Sequence, residues 1–208
     1  MIIVGLIGQT GAGKSSVCQI LEEQGVFVVD GDRVAREITQ TGSPVLDALA
    51  ESFGADILRE DGSLNRALLA SRAFASPENT QKLNAVTHPS ITQRALRELA
   101  AAELRGFDAA VFEGAALLES PLRDCCHFFA AVTAPRALRL ERILARDSIS
   151  AEAAQLRMAA QQAEGYYTNA AAVILRNHPP YDLKEETKKL LCEMERRRAA
   201  EGAETGGG

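Results

Sequence analysis

The chain predicts an α/β fold on a parallel sheet, and three observations carry that prediction. A short, continuous apolar run, Ile2-Ile3-Val4-Gly5-Leu6-Ile7, has the pattern of a central strand covered on both faces. A glycine-rich loop follows, then Val17, Ile20 and Leu21 at helical spacing, with Gly25 ending the helix. A second apolar run, Val26-Phe27-Val28-Val29, closes a strand–helix–strand unit. Such units wind right-handed and place their strands parallel.

Between Ala35 and Arg105 no comparable strand run occurs. Ser43-Pro44 opens a helix carrying Val45, Leu46, Leu49, Ala50 and Phe53, and Gly54 closes it. Asp61-Gly62 marks a turn, Ser76-Pro77 starts another helix, and Gly106 ends the last helical stretch. A helical subdomain inserted into an alternating chain accounts for this. Strands resume at 109–112 and 128–132, and Val173-Ile174-Leu175 is a final candidate. An arginine-rich helix is expected over 135–146 and a second from Ser150 onward. Asp182, with Glu185 three residues on, has the spacing of a capping box for a helix reaching about Ala200.

Composition narrows the class. Of 208 residues, 46% are hydrophobic and 25% charged, as in ordinary globular proteins, and the formal net charge is −5. An acidic balance disfavours a dedicated nucleic-acid binder. Cys18, Cys125, Cys126 and Cys192 form no CxxC pair and have no histidine cluster beside them, which speaks against structural zinc and for free thiols in a reducing compartment. The apolar start lacks a basic region and runs into the glycine loop, so it reads as a strand and not a signal peptide. No apolar stretch is long enough to span a membrane. The expectation is a soluble cytoplasmic protein with no nucleic-acid or membrane partner.

The loop Gly8-Gln9-Thr10-Gly11-Ala12-Gly13-Lys14-Ser15 meets the pattern GxxxxGK[ST] directly after a strand and directly before a helix. Its glycines let the backbone curl so that successive N–H groups face phosphates, and the helix adds its N-terminal positive potential. Lys14 supplies a mobile charge to the β- and γ-phosphates, and the Ser15 hydroxyl is a magnesium ligand. This is a nucleoside-triphosphate site.

Asp30 and Asp32 follow the second strand, at the rim where parallel sheets bind ligands. A carboxylate there either takes the proton of an attacking hydroxyl, holds magnesium through water, or caps the next helix. Asp30 is the better cap. Arg139, Arg142 and Arg146 fall at i, i+3 and i+7, on one helix face. Their mutual repulsion is relieved by an anionic partner such as a triphosphate, or else the face is simply solvated.

Taken together these segments resemble the dephospho-coenzyme A kinase family, P-loop kinases related to the nucleoside monophosphate kinases, over roughly residues 3–180. Besides the loop, the resemblance covers Val29-Asp30-Gly31-Asp32-Arg33-Val34-Ala35-Arg36, Phe53-Gly54, and Asp61-Gly62-Ser63-Leu64-Asn65-Arg66. It continues through Leu83-Asn84, His88-Pro89-Ser90-Ile91, and a lid segment with Arg142, Arg146-Asp147, Arg157 and Gln161. It implies a P-loop three-layer α/β/α fold with a five-stranded parallel sheet, a helical substrate-binding insert and a helical lid. One kinase domain would then comprise a core of 1–34, 106–134 and 165–201, a CoA-binding insert of 35–105 and a lid of 135–164, with 202–208 a disordered tail.

The implied reaction is ATP plus 3′-dephospho-CoA giving ADP plus coenzyme A, by a monomer using ATP and Mg2+. By the same resemblance Asp32 is the general base, and Lys14, Arg142 and Arg146 are catalytic. ATP is held by Gly8, Gln9, Thr10, Gly11, Ala12, Gly13, Lys14, Ser15, Ser16, Arg142, Arg146 and Asn177. Asp32, Arg36, Arg66 and His88 serve the acceptor, and Ser15 the metal. The sequence departs from the family at Glu113-Gly114-Ala115-Ala116-Leu117-Leu118-Glu119, where D-x-P-L-L-x-E is usual. It departs again at Tyr167, Ala171-Ala172 and Asn177-His178-Pro179, where a lysine, A-D and N-x-G are usual. Another small-molecule kinase on the same scaffold is the alternative. A guanine-nucleotide switch is disfavoured because no N-K-x-D motif is present.

Overall fold

The structure, a computed structural model, describes residues 1–205 apart from Ala115 and Ser148. In chain order its regular elements begin with β1 (Ile2–Ile7), α1 (Lys14–Glu23), β2 (Phe27–Asp30), α2 (Gly31–Glu37) and α3 (Pro44–Phe53). Next come α4 (Arg66–Ala73), α5 (Pro77–Leu104), β3 (Ala109–Glu113) and β4 (Phe128–Thr133). The chain closes with α6 (Arg136–Asp147), α7 (Ala151–Ala159), α8 (Glu164–Thr168), β5 (Val173–Arg176) and α9 (Leu183–Thr205). Short 3₁₀ turns occupy Ala55–Ile57, Leu117–Glu119 and Pro121–Cys125. They divide into two compact units, Met1–Val29 with Ala100–Gly208, and Asp30–Leu99.

The first unit holds a five-stranded sheet in the order β2-β3-β1-β4-β5, with helices flanking it. The expected α/β class with a five-stranded parallel sheet is what forms. β1 is central because its apolar run is buried almost throughout, and it pairs in parallel with both β3 and β4. β4 in turn pairs in parallel with β5. The register sets Leu6 opposite Glu113, so the carboxyl end of β3 lies level with the end of β1. Ile2, Val4 and Leu6 of β1 pack in one core with Val17 and Leu21 of α1 and with Leu190 and Met194 of α9. Each such side chain, fully buried, contributes about 1.5–3 kcal/mol relative to exposure. α6 and α7 make a smaller cluster through Ile143, Ala154 and Met158.

In the second unit, Ser43 caps α3 by accepting from the Val45 amide at 3.2 Å, and Pro44 takes the first helical position, where a missing N–H costs nothing. Leu46, Leu49 and Phe53 form its buried face against Ile57, Leu64, Leu69 and Ala73. Asp61 accepts from the Ser63 amide at the expected turn, and a single antiparallel bridge joins Leu58 to Leu64 across it. Arg33 and Arg94 each pair with Glu37 and Glu98, tying α2 to the Arg94–Glu98 stretch of α5.

Two elements differ from the sequence expectation. A one-turn helix, α8, precedes β5. α9 continues to Thr205, past Ala200, so residues 202–205 of the expected disordered tail are helical. Residues 206–208 of that tail lie outside the described residues. Asp182 caps α9 as expected, accepting from the amides of Lys184 and Glu185. The Glu185 side chain accepts from Lys188.

Candidate active site

The phosphate loop leaves the end of the central strand and enters α1 at Lys14. Gly13 stands at the helix N-cap with φ 97° and ψ 32°, a left-handed backbone that disfavours side chains. A Cβ built there would lie 1.9 Å from Asn177 Nδ2, so the position also requires close approach. Asn177, just past β5, donates through that nitrogen to the Ala12 carbonyl at 2.8 Å.

The cationic and hydroxyl groups at the helix entry meet one carboxylate. Lys14 Nζ lies 3.8 Å from Glu113 Oε1 and donates to the Gly8 carbonyl at 3.2 Å. Ser15 Oγ donates to Glu113 Oε2 at 3.4 Å, and the Cys18 thiol faces the same oxygen at 3.7 Å. Burial pushes the Cys18 thiol far above the ordinary thiol range, and the Glu113 charge pushes it further, so it remains a neutral donor. In the sequence Glu113 stands out only as the start of the segment that departs from D-x-P-L-L-x-E. The signal that marks it is the one used for Asp30 and Asp32, an acid at the carboxyl end of a parallel strand.

α6 reaches the loop from outside. Arg142 Nη1 donates to the carbonyls of Gly11 and Ala12 at 3.3 and 3.2 Å, while Nη2 donates to the Asn177 carbonyl at 3.0 Å. Arg139 is buried and its Nη1 approaches the Thr10 carbonyl at 3.5 Å. Arg146, a turn further on, pairs with Asp147, which also takes Arg157. The hydrogen bond from Arg146, with Arg157 beside it, holds the Asp147 carboxyl below the usual range. The other edge of the loop is braced by two glutamines. Gln161 Oε1 accepts from the Thr10 amide at 2.9 Å, and Gln9 Nε2 donates to the Gln162 carbonyl at 2.9 Å.

In the second unit, Asp30 caps α2, its Oδ1 accepting from the amides of Asp32 and Arg33 at 2.8 and 3.1 Å. This is the structural role expected for Asp30, and it leaves Asp32 in the first turn of α2. Arg66 donates to Thr39 Oγ1 at 3.0 Å and reaches the Arg36 carbonyl at 3.4 Å. Burial lowers the Arg66 pKa and the positive charge of Arg36 lowers it further. Among the described residues neither arginine forms a salt bridge with a carboxylate, in contrast to Arg33. His88 sits on α5 immediately before Pro89.

The family model described as dephospho-CoA kinase matches residues 2–181. The dephospho-CoA kinase of Corynebacterium glutamicum is 37% identical over 195 residues, covering 93% of this chain and 98% of the relative. That of Corynebacterium jeikeium is 41% identical over 177 residues, covering 85% and 91%. The crystal structure of TT1252 from Thermus thermophilus superposes with a TM-score of 0.76 at 29% identity, covering 92% of this chain and 96% of that one. A loop built for phosphates, on a sheet of this order, in a chain so matched along its length, has one assignment: the chain belongs to the dephospho-CoA kinase family.

Proposed function

We propose that this chain transfers the terminal phosphate of ATP to the ribose 3′-hydroxyl of 3′-dephospho-CoA, giving coenzyme A and ADP. The observation that carries the reading is the phosphate loop, whose carbonyls at Gly11 and Ala12 are engaged by Arg142 and Asn177 while Lys14 and Ser15 stand at the helix entry. Within residues 8–16 the Thr10 amide is taken by Gln161 and the Ala12 amide by the Gln9 carbonyl, and the amides at Gly11, Gly13 and the start of α1 hold the triphosphate with Lys14. Asp32 takes the proton of the 3′-hydroxyl as its oxygen attacks the γ-phosphorus, and ADP leaves with its new charge held by Lys14 and the loop amides. Arg146 acts on the transferring group, while Arg142 and Asn177 hold the loop through the Gly11 and Ala12 carbonyls and so orient the nucleotide.

Arg36 and Arg66, two neighbouring guanidiniums without carboxylate partners among the described residues, suit the pyrophosphate of dephospho-CoA. His88 is the third acceptor-side group in this reading. The donors near Lys14 also fit magnesium. Ser15 Oγ and Glu113 are hard oxygen ligands 3.4 Å apart, and Mg2+ completes its shell with phosphate oxygens and waters. When bound there, the ion neutralises charge on the β- and γ-phosphates. Four free cysteines suit a reducing cytoplasm, and a monomer suffices because every residue invoked lies in one chain. Among the described residues no helix is long and apolar enough to cross a membrane.

The test is incubation with ATP, magnesium and dephospho-CoA, with mass detection of the acceptor. A gain of one phosphate on the acceptor is expected. ADP release that does not depend on dephospho-CoA, with the acceptor unchanged, would reject the assignment in favour of another acceptor.

A further inference from the structure

Arg139 presents an unusual combination. The residue is only 7% exposed, its Nε has no hydrogen-bond partner among the described residues, and its Nη1 makes a long contact with the Thr10 carbonyl at 3.5 Å. A buried charge without a close counter-ion costs stability, so its retention calls for a compensating partner. Burial draws the guanidinium pKa down, and Glu164 opposes that only in part. The backbone of α6 presses on the loop at this point: a Cβ on Gly11, whose φ is +76°, would stand 2.6 Å from the Arg139 carbonyl oxygen.

The loop's peptide planes supply the function. In a trans peptide the carbonyl of one residue and the N–H of the next point in opposite directions. Arg139 engages the Thr10 carbonyl, Arg142 those of Gly11 and Ala12, and Asn177 that of Ala12 again. Three successive carbonyls are therefore drawn toward α6 and β5, and the amides of Gly11, Ala12 and Gly13 face away from them, that of Ala12 donating to the Gln9 carbonyl at 3.2 Å.

We infer that Arg139 is a positioning residue for the nucleotide: it fixes the Thr10–Gly11 peptide plane from outside the loop, and its buried charge is balanced by the donor phosphates. This rests on the reading of the loop as a triphosphate site, and it assigns the arginines of α6 separate tasks. Arg139 acts through the loop backbone and adds to affinity for the nucleotide and not for the acceptor.

The experiment compares wild type, Arg139→Met and Arg139→Lys, using ADP with magnesium as the binding probe and steady-state kinetics with ATP and dephospho-CoA. For Arg139→Met the ligand-free melting midpoint should hold or rise, because an unpaired buried charge is replaced by an apolar stem. ADP affinity should fall roughly ten- to a hundred-fold, the scale of a charged hydrogen bond. KM for ATP should rise in step while KM for dephospho-CoA stays constant. Arg139→Lys should restore at least half of the lost ADP-induced rise in midpoint. A ligand-free midpoint that drops by several degrees with ADP affinity intact would overturn the inference, leaving Arg139 a packing residue. Unchanged ADP affinity in both variants would overturn it too. ADP binding is read without acceptor, so failure of wild type to phosphorylate dephospho-CoA would sink the acceptor assignment alone.

Discussion

Glu113 collects three neighbours on one carboxylate: Lys14 at 3.8 Å, Ser15 at 3.4 Å and Cys18 at 3.7 Å. Of these three Lys14 carries the positive charge, and Ser15 and Cys18 are neutral donors. A residue placed this way shapes the surroundings of Lys14; in the proposed reaction the base is Asp32. Changing Asp32 to Asn keeps the shape of the first turn of α2 and removes the basic oxygen. ADP affinity should stay within about twofold while kcat falls by about 10²–10⁴, the usual contribution of a general base. A kcat loss under roughly tenfold would remove Asp32 from that role. Gly13 invites a different change. An alanine there must hold a left-handed backbone, and its methyl would displace the Asn177 amide from the Ala12 carbonyl. Gly13→Ala should weaken ADP binding by at least about tenfold, with a strain cost of order 1–3 kcal/mol seen as a lowered melting midpoint. ADP titration together with thermal melting checks both, and an unaltered affinity would mean the loop tolerates the side chain.

Among the elements, α6 shows what periodicity reveals and what it leaves out. The spacing of Arg139, Arg142 and Arg146 correctly gives one helical stretch, but a face carries no information about its tertiary partners. In the structure the first meets Thr10, the second bridges Gly11, Ala12 and Asn177, and the third pairs with Asp147. Caps were more legible, because a cap is local chemistry. Ser43, Asp30 and Asp182 each accept from amides two or three residues on, as their positions in the sequence require. α9 adds an acid-sensitive element. Glu193 accepts from Arg196 and from Arg197, and these bonds hold its pKa at about 2 against an ordinary 4.5. The folded pKa is the lower one, so the stabilisation is complete above about pH 4.5 and is lost as pH falls toward 2. The Arg196 partner is largely exposed, so salt screens part of the effect. Glu193→Gln should therefore lose less melting temperature than wild type between about pH 5 and pH 3, with the difference shrinking in high salt. Parallel acid melting curves for the two proteins would exclude this pair from acid stability.

For the whole molecule, the sheet was readable because its inner strands β1, β3 and β4 are continuous apolar runs, which a parallel sheet covered on both faces demands. Glu113 escaped assignment for the opposite reason. Its meeting with Lys14 depends on the β1–β3 register, a pairing between segments far apart in sequence that local pattern does not encode. That register also decides how a metal would be held. Among the described residues no group of three or more His, Cys, Asp or Glu side chains could hold an ion. Ser15 and Glu113 provide two oxygen donors, too few for a structural cage but enough for magnesium that draws its other ligands from phosphates and water. A cation bound in this way stabilises the nucleotide complex and leaves the ligand-free fold untouched. Chelation with EDTA should therefore abolish turnover and shrink the ADP-induced rise in melting midpoint, while the ligand-free midpoint moves by no more than about 1 °C. Returning magnesium in excess should recover turnover and the ADP effect together. A ligand-free midpoint lowered by several degrees in EDTA would reveal a structural ion, and turnover that persists in EDTA would remove the cation from phosphoryl transfer.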